Sequence, residues 1–232
     1  MAQSHDALAL LHLHIEAVWD VRLPALTAGD VTLAPGGSQA PWLLYASMLA
    51  DGRYVRCWRA DVAAADRPAV AARAEAALAL PVSVAAESGV TREVALCRDV
   101  SHTLGVSAAR EIARPLGQAD HALLEAFWPG EAYPYLDDPA RGPLIGVVTE
   151  GRLRSLAHSS RRTMEACELG VETAPEARRQ GNGLVVTVLW SEAVAAEGLV
   201  PIYSALAENT ASLALAHAAG YRAFARAAYV PG

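Results

Sequence analysis

The sequence predicts an α/β chain of the α+β type, with a mixed, mostly antiparallel sheet flanked by helices. Three observations predict it. Apolar runs at 41–49 and 54–58 meet at Asp51-Gly52, a two-residue hairpin signal. A second pair of runs, at 144–148 and 152–157, flanks Glu150-Gly151 and reads as another antiparallel pair. From residue 164 onward, strand-like and helix-like patterns alternate to the C-terminus.

Taken in order, residues 6–20 read as an amphipathic helix, with Leu8, Leu11, Ile15, Val18 and Trp19 at helical spacing and Asp6 able to cap its start. His12 and His14 stand two apart, on different sides of that helix, and read as surface or interface histidines rather than a metal pair. Residues 26–39 carry turn signals, with a short strand at 31–33. The hairpin follows. Asp66-Arg67-Pro68 then opens a helix running to Leu80, before Pro81. Residues 82–103 are ambiguous, with a strand at 93–97. A boundary near residue 107 separates an N-terminal α/β region (1–107) without a catalytic motif from the remainder (108–232).

In that remainder, 110–115 reads as a strand and 118–128 as a helix bearing Leu123, Leu124 and Phe127. Residues 129–143 are rich in chain breakers and aromatics and read as a loop, a usual seat for binding groups. Residues 164–173 make a third strand after the Glu150-Gly151 pair. A helix over 184–197 stops at Gly198. A strand at 200–206, a helix at 210–219 and a strand at 221–230 complete the chain.

Composition narrows the function classes. The chain has 232 residues, 53% hydrophobic and only 19% charged, enough for a substantial core and unlike a disordered segment. A net charge of −6 with no basic face argues against nucleic acid as the main partner. All nineteen basic residues are arginine. Cys57, Cys97 and Cys167 stand at no metal-like spacing, and the expectation is reduced thiols in the cytoplasm and no bound metal. No signal peptide is recognisable, and no uncharged apolar run reaches the ~18 residues of a membrane span.

The chemistry concentrates between strand and helix. Arg178, Arg179, Gly181 and Gly183 bring two charges and two bare backbone positions to a helix N-terminus, where free N–H groups and the helix dipole favour a phosphate-like anion. The bland reading is a helix start with turn glycines. A P-loop is excluded because no lysine is present, and a dinucleotide fingerprint lacks its third glycine, since Val186 stands there. The stretch Pro175-Glu-Ala-Arg178-Arg-Gln-Gly181-Asn-Gly183 resembles the acyl-CoA loop of the GNAT superfamily of N-acyltransferases, Arg/Gln-x-x-Gly-x-Gly/Ala after a strand. Downstream, Asn209, followed eleven and twelve residues later by Gly220-Tyr221, resembles that family's second motif. The order of elements, a β-meander and then β-α-β-α-β, is the one GNAT domains have, so the resemblance implies a GNAT-like sheet preceded by an extra N-terminal region.

The resemblance implies acetyl-CoA or another acyl-CoA as co-substrate, and a small-molecule or peptide amine as acceptor. The backbone of Val171, Glu172 and Thr173 would pair with the pantetheine arm. The amides of Arg179, Gln180, Gly181, Asn182, Gly183 and Leu184 would hold the pyrophosphate, with support from Arg178 or Arg179. Asn209 would reach pantetheine or thioester, with Ser212 one turn further on the same face; a helix N-cap is the other role open to Asn209. The family's thiolate-protonating tyrosine, seven residues after the asparagine, is replaced by Ala216, leaving His217, Tyr221 and Tyr203 as substitutes. The family's base positions hold Cys167 and Leu169. Glu168 is the candidate base, although alternation turns Glu168 and Glu172 to the opposite face; a bulge in that strand would re-aim Glu168. The bland reading of both glutamates is a solvated or ion-paired face. His158, Asp137 and Asp138 are further candidates, and Trp128, Tyr133 and Tyr135 either line an acceptor pocket or pack their loop on the core.

Three readings stand. The first is an N-acetyltransferase, with water-mediated proton transfer or an acid and base from elsewhere. The second is an acyl-CoA-binding sensor without turnover. The third is a nucleotide-phosphate site of another fold. A homodimer through the N-terminal region is compatible with each.

Overall fold

Asp6 caps the first helix as its position implied, its carboxylate accepting from the Leu8 amide at 3.3 Å. In a computed structural model that describes residues 6–34, 40–82, 84, 89–98, 105–130 and 132–232, with the side chains of 132–134 outside the description, the chain is a mixed α/β protein. Its elements run α1 (Ala7–Trp19), β1 (Gly29–Thr32), β2 (Trp42–Leu49), β3 (Tyr54–Trp58), α2 (Arg67–Ala79), β4 (Thr91–Arg98) and α3 (Val106–Ile112). There follow β5 (Arg114–Pro115), α4 (His121–Phe127), α5 (Ala132–Asp137), β6 (Ile145–Thr149), β7 (Arg152–Arg162) and β8 (Ala166–Thr173). The last are α6 (Asn182–Ala196), β9 (Val200–Leu206), α7 (Thr210–Ala218) and β10 (Tyr221–Pro231). No helix among the described residues is long and apolar enough to cross a membrane.

Two compact units emerge, one of residues 1–97, 203–214 and 222–232, the other of 98–202 and 215–221. Chain order and compactness thus divide the molecule differently. The sequence pattern suggests one cut, near residue 107, whereas the first unit also takes in two C-terminal segments.

In the first unit the strand order is β1-β3-β2-β10-β4, followed by the end of β9. The hairpin β2–β3 is antiparallel, with Tyr45 opposite Cys57, and Gly52 supplies the positive φ of +86° that its turn needs. Strand β10 pairs antiparallel with β2, and β1 runs parallel to β3. Helix α2 is alanine-rich on its inner face. Ala71, Ala74 and Ala77 allow a close approach to a core of Leu44, Ala46, Trp58, Ala228 and Val230. The end of α2 is closed by Arg92 of β4, a buried guanidinium that donates to the carbonyls of Ala77, Leu80, Pro81, Val82 and Val84.

His14 corrects the surface assignment. It is fully buried, on the stripe Leu10-His14-Ala17, and its Nε2 lies 2.9 Å from Glu93 Oε1 and 3.2 Å from Tyr45 Oη. The Tyr45 hydroxyl also donates to Glu93, and burial together with that carboxylate pushes its pKa well above the ordinary 10. His12 remains partly exposed and pairs with Glu16 at 3.4 Å.

In the second unit the order runs from the start of β9 through β8, β7 and β6 to β5. Strands β6, β7 and β8 form the expected antiparallel meander. Its inner core is Leu116, Leu124, Leu144, Leu153 and Leu156. Two expectations are corrected here. Residues 106–112 are helix α3, not strand; only Arg114 and Pro115 pair, with Gly146 and Ile145. The stretch 129–143 is not all loop: it contains α5 and a 3-10 turn at Pro139–Arg141. Pro134 falls in the first turn of α5, where a missing N–H costs no intrahelical bond. Helix α6 is apolar all round and buried on most faces, with Thr187, Trp190 and Ser191 inside.

Candidate active site

The site is built from the end of β8, the loop after it and the start of α6. A 3-10 turn at Pro175–Ala177 leads to Arg179 at φ +60° and Gly181 at φ +83°, the left-handed N-cap of α6. Side chains brace the loop from behind. Arg178 Nε donates to Thr173 O (3.4 Å), Gln180 Nε2 to Glu176 O (2.9 Å) and Asn182 Nδ2 to Ala177 O (3.2 Å). The first helical bond is Val185 N–H to Gly181 O at 3.1 Å. Among the described residues, none of the amide N–H groups of Arg179, Gln180, Gly181, Asn182, Gly183 and Leu184 donates a hydrogen bond. Six consecutive donors therefore stand open at the positive end of a helix, a cradle suited to a diphosphate. Gly183 keeps that cradle shallow: a Cβ there would lie 3.3 Å from Thr173 Oγ1.

Strand β8 leaves its parallel partner early. It pairs with β9 only at Ala166–Val200, Cys167–Pro201 and Glu168–Ile202, whereas its pairing with β7 continues to Ser155–Thr173. Val171, Glu172 and Thr173 thus have no β9 partner. Two of their carbonyls are engaged elsewhere: Ser155 Oγ donates to Glu172 O at 2.8 Å, and Arg178 reaches Thr173 O.

The two faces of β8 have different neighbours. Cys167 and Leu169 share the face covered by α6; Ser159, opposite Leu169, accepts there from Trp190 Nε1 at 3.3 Å. These buried apolar surroundings raise the Cys167 pKa and leave neither residue suited to be a base. Glu168, Gly170 and Glu172 alternate to the other face. There Trp128 Nε1 donates to Glu172 Oε2 at 2.9 Å, and a Cβ on Gly170 would lie 2.2 Å from His158 Nε2. Glu168 therefore faces the α4–α5 side by plain alternation. The bulge lies on β7 and not in the strand of Glu168: Ser160 is the extra residue between the pairs Ser159–Leu169 and Arg161–Glu168. Ser160 Oγ donates to Glu168 Oε2 at 3.2 Å.

Around this face the aromatics converge. Trp128 and Tyr135 pack at 4.6 Å between ring centroids and meet His158 edge-on at 5.3 and 4.8 Å. Both also pack against the leucine core, so they hold α4 and α5 in place. His158 is 5% exposed, and its Nδ1 has no hydrogen-bond partner among the described residues. Burial lowers its pKa from 6.5 to about 4, with Arg141 adding to the shift, so the ring is neutral at pH 7. Tyr133 lies outside the described side chains. Asp137 and Asp138 serve local structure: Asp137 accepts from Gln118 at 2.9 Å, and Asp138 caps the turn through Ala140 N–H at 2.9 Å.

Asn209 and Ser212 belong to the first unit. Asn209 Oδ1 accepts from the Ser212 amide at 3.1 Å, the N-cap arrangement for α7. Ser212 Oγ is 2.8 Å from the Tyr203 hydroxyl, and burial raises the Tyr203 pKa. Of the other proposed proton donors, Tyr221 is fully buried with its hydroxyl 2.6 Å from Ser191 Oγ, and His217 Nδ1 lies 3.2 Å from Tyr221 O. Ala216 is fully buried. Sequence reasoning missed Ser160, Arg141 and Arg161, which meet at the β7 bulge. No sequence signal marks a bulge whose register depends on a partner strand.

No protein-family model matches this chain, and no curated protein matches its sequence. Solved structures similar to it include acetyltransferases of the GNAT family. One, assigned to the GNAT family, from Novosphingobium aromaticivorans, is 25% identical and aligns over 64% of this chain and 70% of that one, with a TM-score of 0.48. A GNAT-family acetyltransferase from Colwellia psychrerythraea is 18% identical over 61% of this chain and 56% of its own, TM-score 0.49. A GCN5-related N-acetyltransferase-like protein from Streptococcus suis is 16% identical over 78% and 72%, TM-score 0.45.

Proposed function

We propose that this chain is an acyl-CoA-dependent N-acyltransferase of the GNAT type, transferring acetyl from acetyl-CoA to a primary amine. The observation that carries the reading is the run of six open amides from Arg179 to Leu184. It begins six residues after β8 ends and opens α6 with Gly181 and Gly183 in the motif positions. An acyl-CoA fits this donor set: pyrophosphate on the amides, and the pantetheine amides against residues 171–173.

The amine nitrogen attacks the thioester carbonyl as a C–N bond forms and the C–S bond breaks. One proton leaves the amine, and the departing thiolate takes one up. Glu168, on the face lined by Trp128, Tyr135 and His158, is the group proposed to accept the amine proton, directly or through water. Ser160 holds its carboxylate. With Ala216 at the usual tyrosine position, the proton for the thiolate comes from solvent.

The test is calorimetric titration with acetyl-CoA, with CoA and NAD as comparisons, followed by CoA release over an amine panel. Tight acetyl-CoA binding with release that depends on amine supports the enzyme. Binding without release on any amine supports the sensor reading, which the buried Ala216 favours. Failure to bind either CoA or acetyl-CoA overturns both.

A further inference from the structure

We infer that the acceptor carries an anionic group beside its amine, so that the substrate is an amino-acid-like zwitterion; the inference rests on the acyltransferase reading and specifies its acceptor. The observation is the set of charges gathered on one bulge residue. Ser160 stands between Glu168 and two arginines. Its hydroxyl donates to Glu168 Oε2 at 3.2 Å and to Glu168 O at 3.3 Å. Its carbonyl accepts from Arg141 Nη1 at 2.9 Å and from Arg161 Nη1 at 2.8 Å.

Two guanidinium groups converging on one neutral oxygen repel each other and leave positive charge there. Glu168 stands opposite Arg161 in the strand register, and the amine proposed at Glu168 would engage that carboxylate. Arg161 is exposed and makes no ion pair among the described residues. Arg141 has Asp138 at 3.8 Å, beyond hydrogen-bonding distance, and lies over the Tyr135 ring at 5.2 Å. A local structural role explains Arg141, which ties the 3-10 turn at Pro139–Arg141 to β7. It does not explain Arg161, whose guanidinium bonds, among the described residues, only its neighbour's carbonyl. Arginine offers further N–H donors in a fork that fits a carboxylate or phosphate. The base and these cations are separated by a single residue, so an amine at Glu168 and an anion at Arg161 and Arg141 are spaced as in a compact zwitterion. The aromatic wall of Trp128 and Tyr135 adjoins the same face.

The test compares the twenty protein amino acids with matched decarboxylated amines, and phosphoethanolamine with ethanolamine, in acetyl-CoA-dependent CoA release by the full chain. At least one zwitterion is expected to exceed its amine by about tenfold or more in kcat/KM. Arg161→Ala collapses that ratio through KM, and Arg161→Lys restores part of it. A carboxylate-specific or phosphate-specific advantage supports the inference and identifies the anion. Equal rates for zwitterion and amine, or an unchanged ratio in Arg161→Ala, overturn the inference. Where acetyl-CoA binds and no acceptor turns over, calorimetry of the same pairs on the CoA-saturated protein decides: zwitterion binding lost in Arg161→Ala supports the site, and no binding overturns it. If acetyl-CoA does not bind, the acyltransferase reading fails first. The anion site is then tested by zwitterion titration of the protein alone: binding lost in Arg161→Ala supports it, and no binding overturns it.

Discussion

The C-terminal end of α2 and the N-terminal end of α6 treat their leftover backbone groups in opposite ways. At α2, Arg92 closes the helix by donating to five carbonyls from Ala77 to Val84. At α6, six amides are left open, and the N-cap is a left-handed glycine with no side chain to cap them. A buried helix end needs partners from its own chain; an exposed end that forgoes them is free to take a ligand. The two buried histidines differ in their surroundings. His14 is held through Nε2 by Glu93 and Tyr45, and His158 packs against the rings of Trp128 and Tyr135.

The sharpest way to break the contrast is to open the closed end. Arg92→Met leaves the carbonyls at the end of α2 without their donor, and a loss of roughly 3–5 kcal/mol is expected in urea unfolding. Acetyl-CoA affinity of the folded variant should be unaltered. A variant as stable as the parent would mean that water replaces the guanidinium at no cost.

His158 gives the next largest effect. The folded chain keeps this ring neutral, with a pKa of about 4, where the unfolded chain titrates near 6.5. Between those values the unfolded state holds the extra proton. Stability is therefore full above pH 6.5 and falls by up to about 3 kcal/mol as pH drops through the window toward 4. Unfolding at stepped pH should show His158→Gln losing less than the parent across that interval. Parallel losses would assign the titration to other groups.

These contrasts were unevenly legible in the sequence. The α6 loop was readable because glycine spacing reports backbone directly: Gly181 does take positive φ, and Gly52 and Gly151 turn their hairpins. The meander was readable because its apolar runs are separated by a Glu-Gly turn pair. Helix α5 was hidden by Pro134 amid turn formers, and α3 by its shortness, since seven residues carry too little periodicity. His14 looked like surface because its partners, Glu93 and Tyr45, come from strands far along the chain. The face of Glu168 followed from alternation. What that face meets, Ser160 on a bulge of β7 and the wall of Trp128 and Tyr135, required the register of a neighbouring strand and the packing of α4.

At the open end itself, Gly183→Glu adds bulk and negative charge among the amides. Acetyl-CoA affinity should fall at least about tenfold, or about 1.4 kcal/mol. Gly181→Glu should do the same, but it also forces a side chain onto a φ of +83°, so part of its effect is strain. Unchanged affinity in a folded Gly183→Glu protein would remove the loop from the cofactor site.

The smallest effect separates two roles of one residue. Asn209 caps α7 through the Ser212 amide, so Asn209→Ala should cost about 1 kcal/mol of stability whatever else the side chain does. Asn209→Asp keeps an acceptor for that amide and loses the side-chain N–H donors. If Asn209 is only a cap, the aspartate variant keeps both stability and acetyl-CoA affinity. If the amide group also donates to the pantetheine or thioester, stability is kept while affinity falls severalfold. The pair of variants thus shows whether α7 begins as a closed end, like the guarded terminus of α2, or shares the openness of α6.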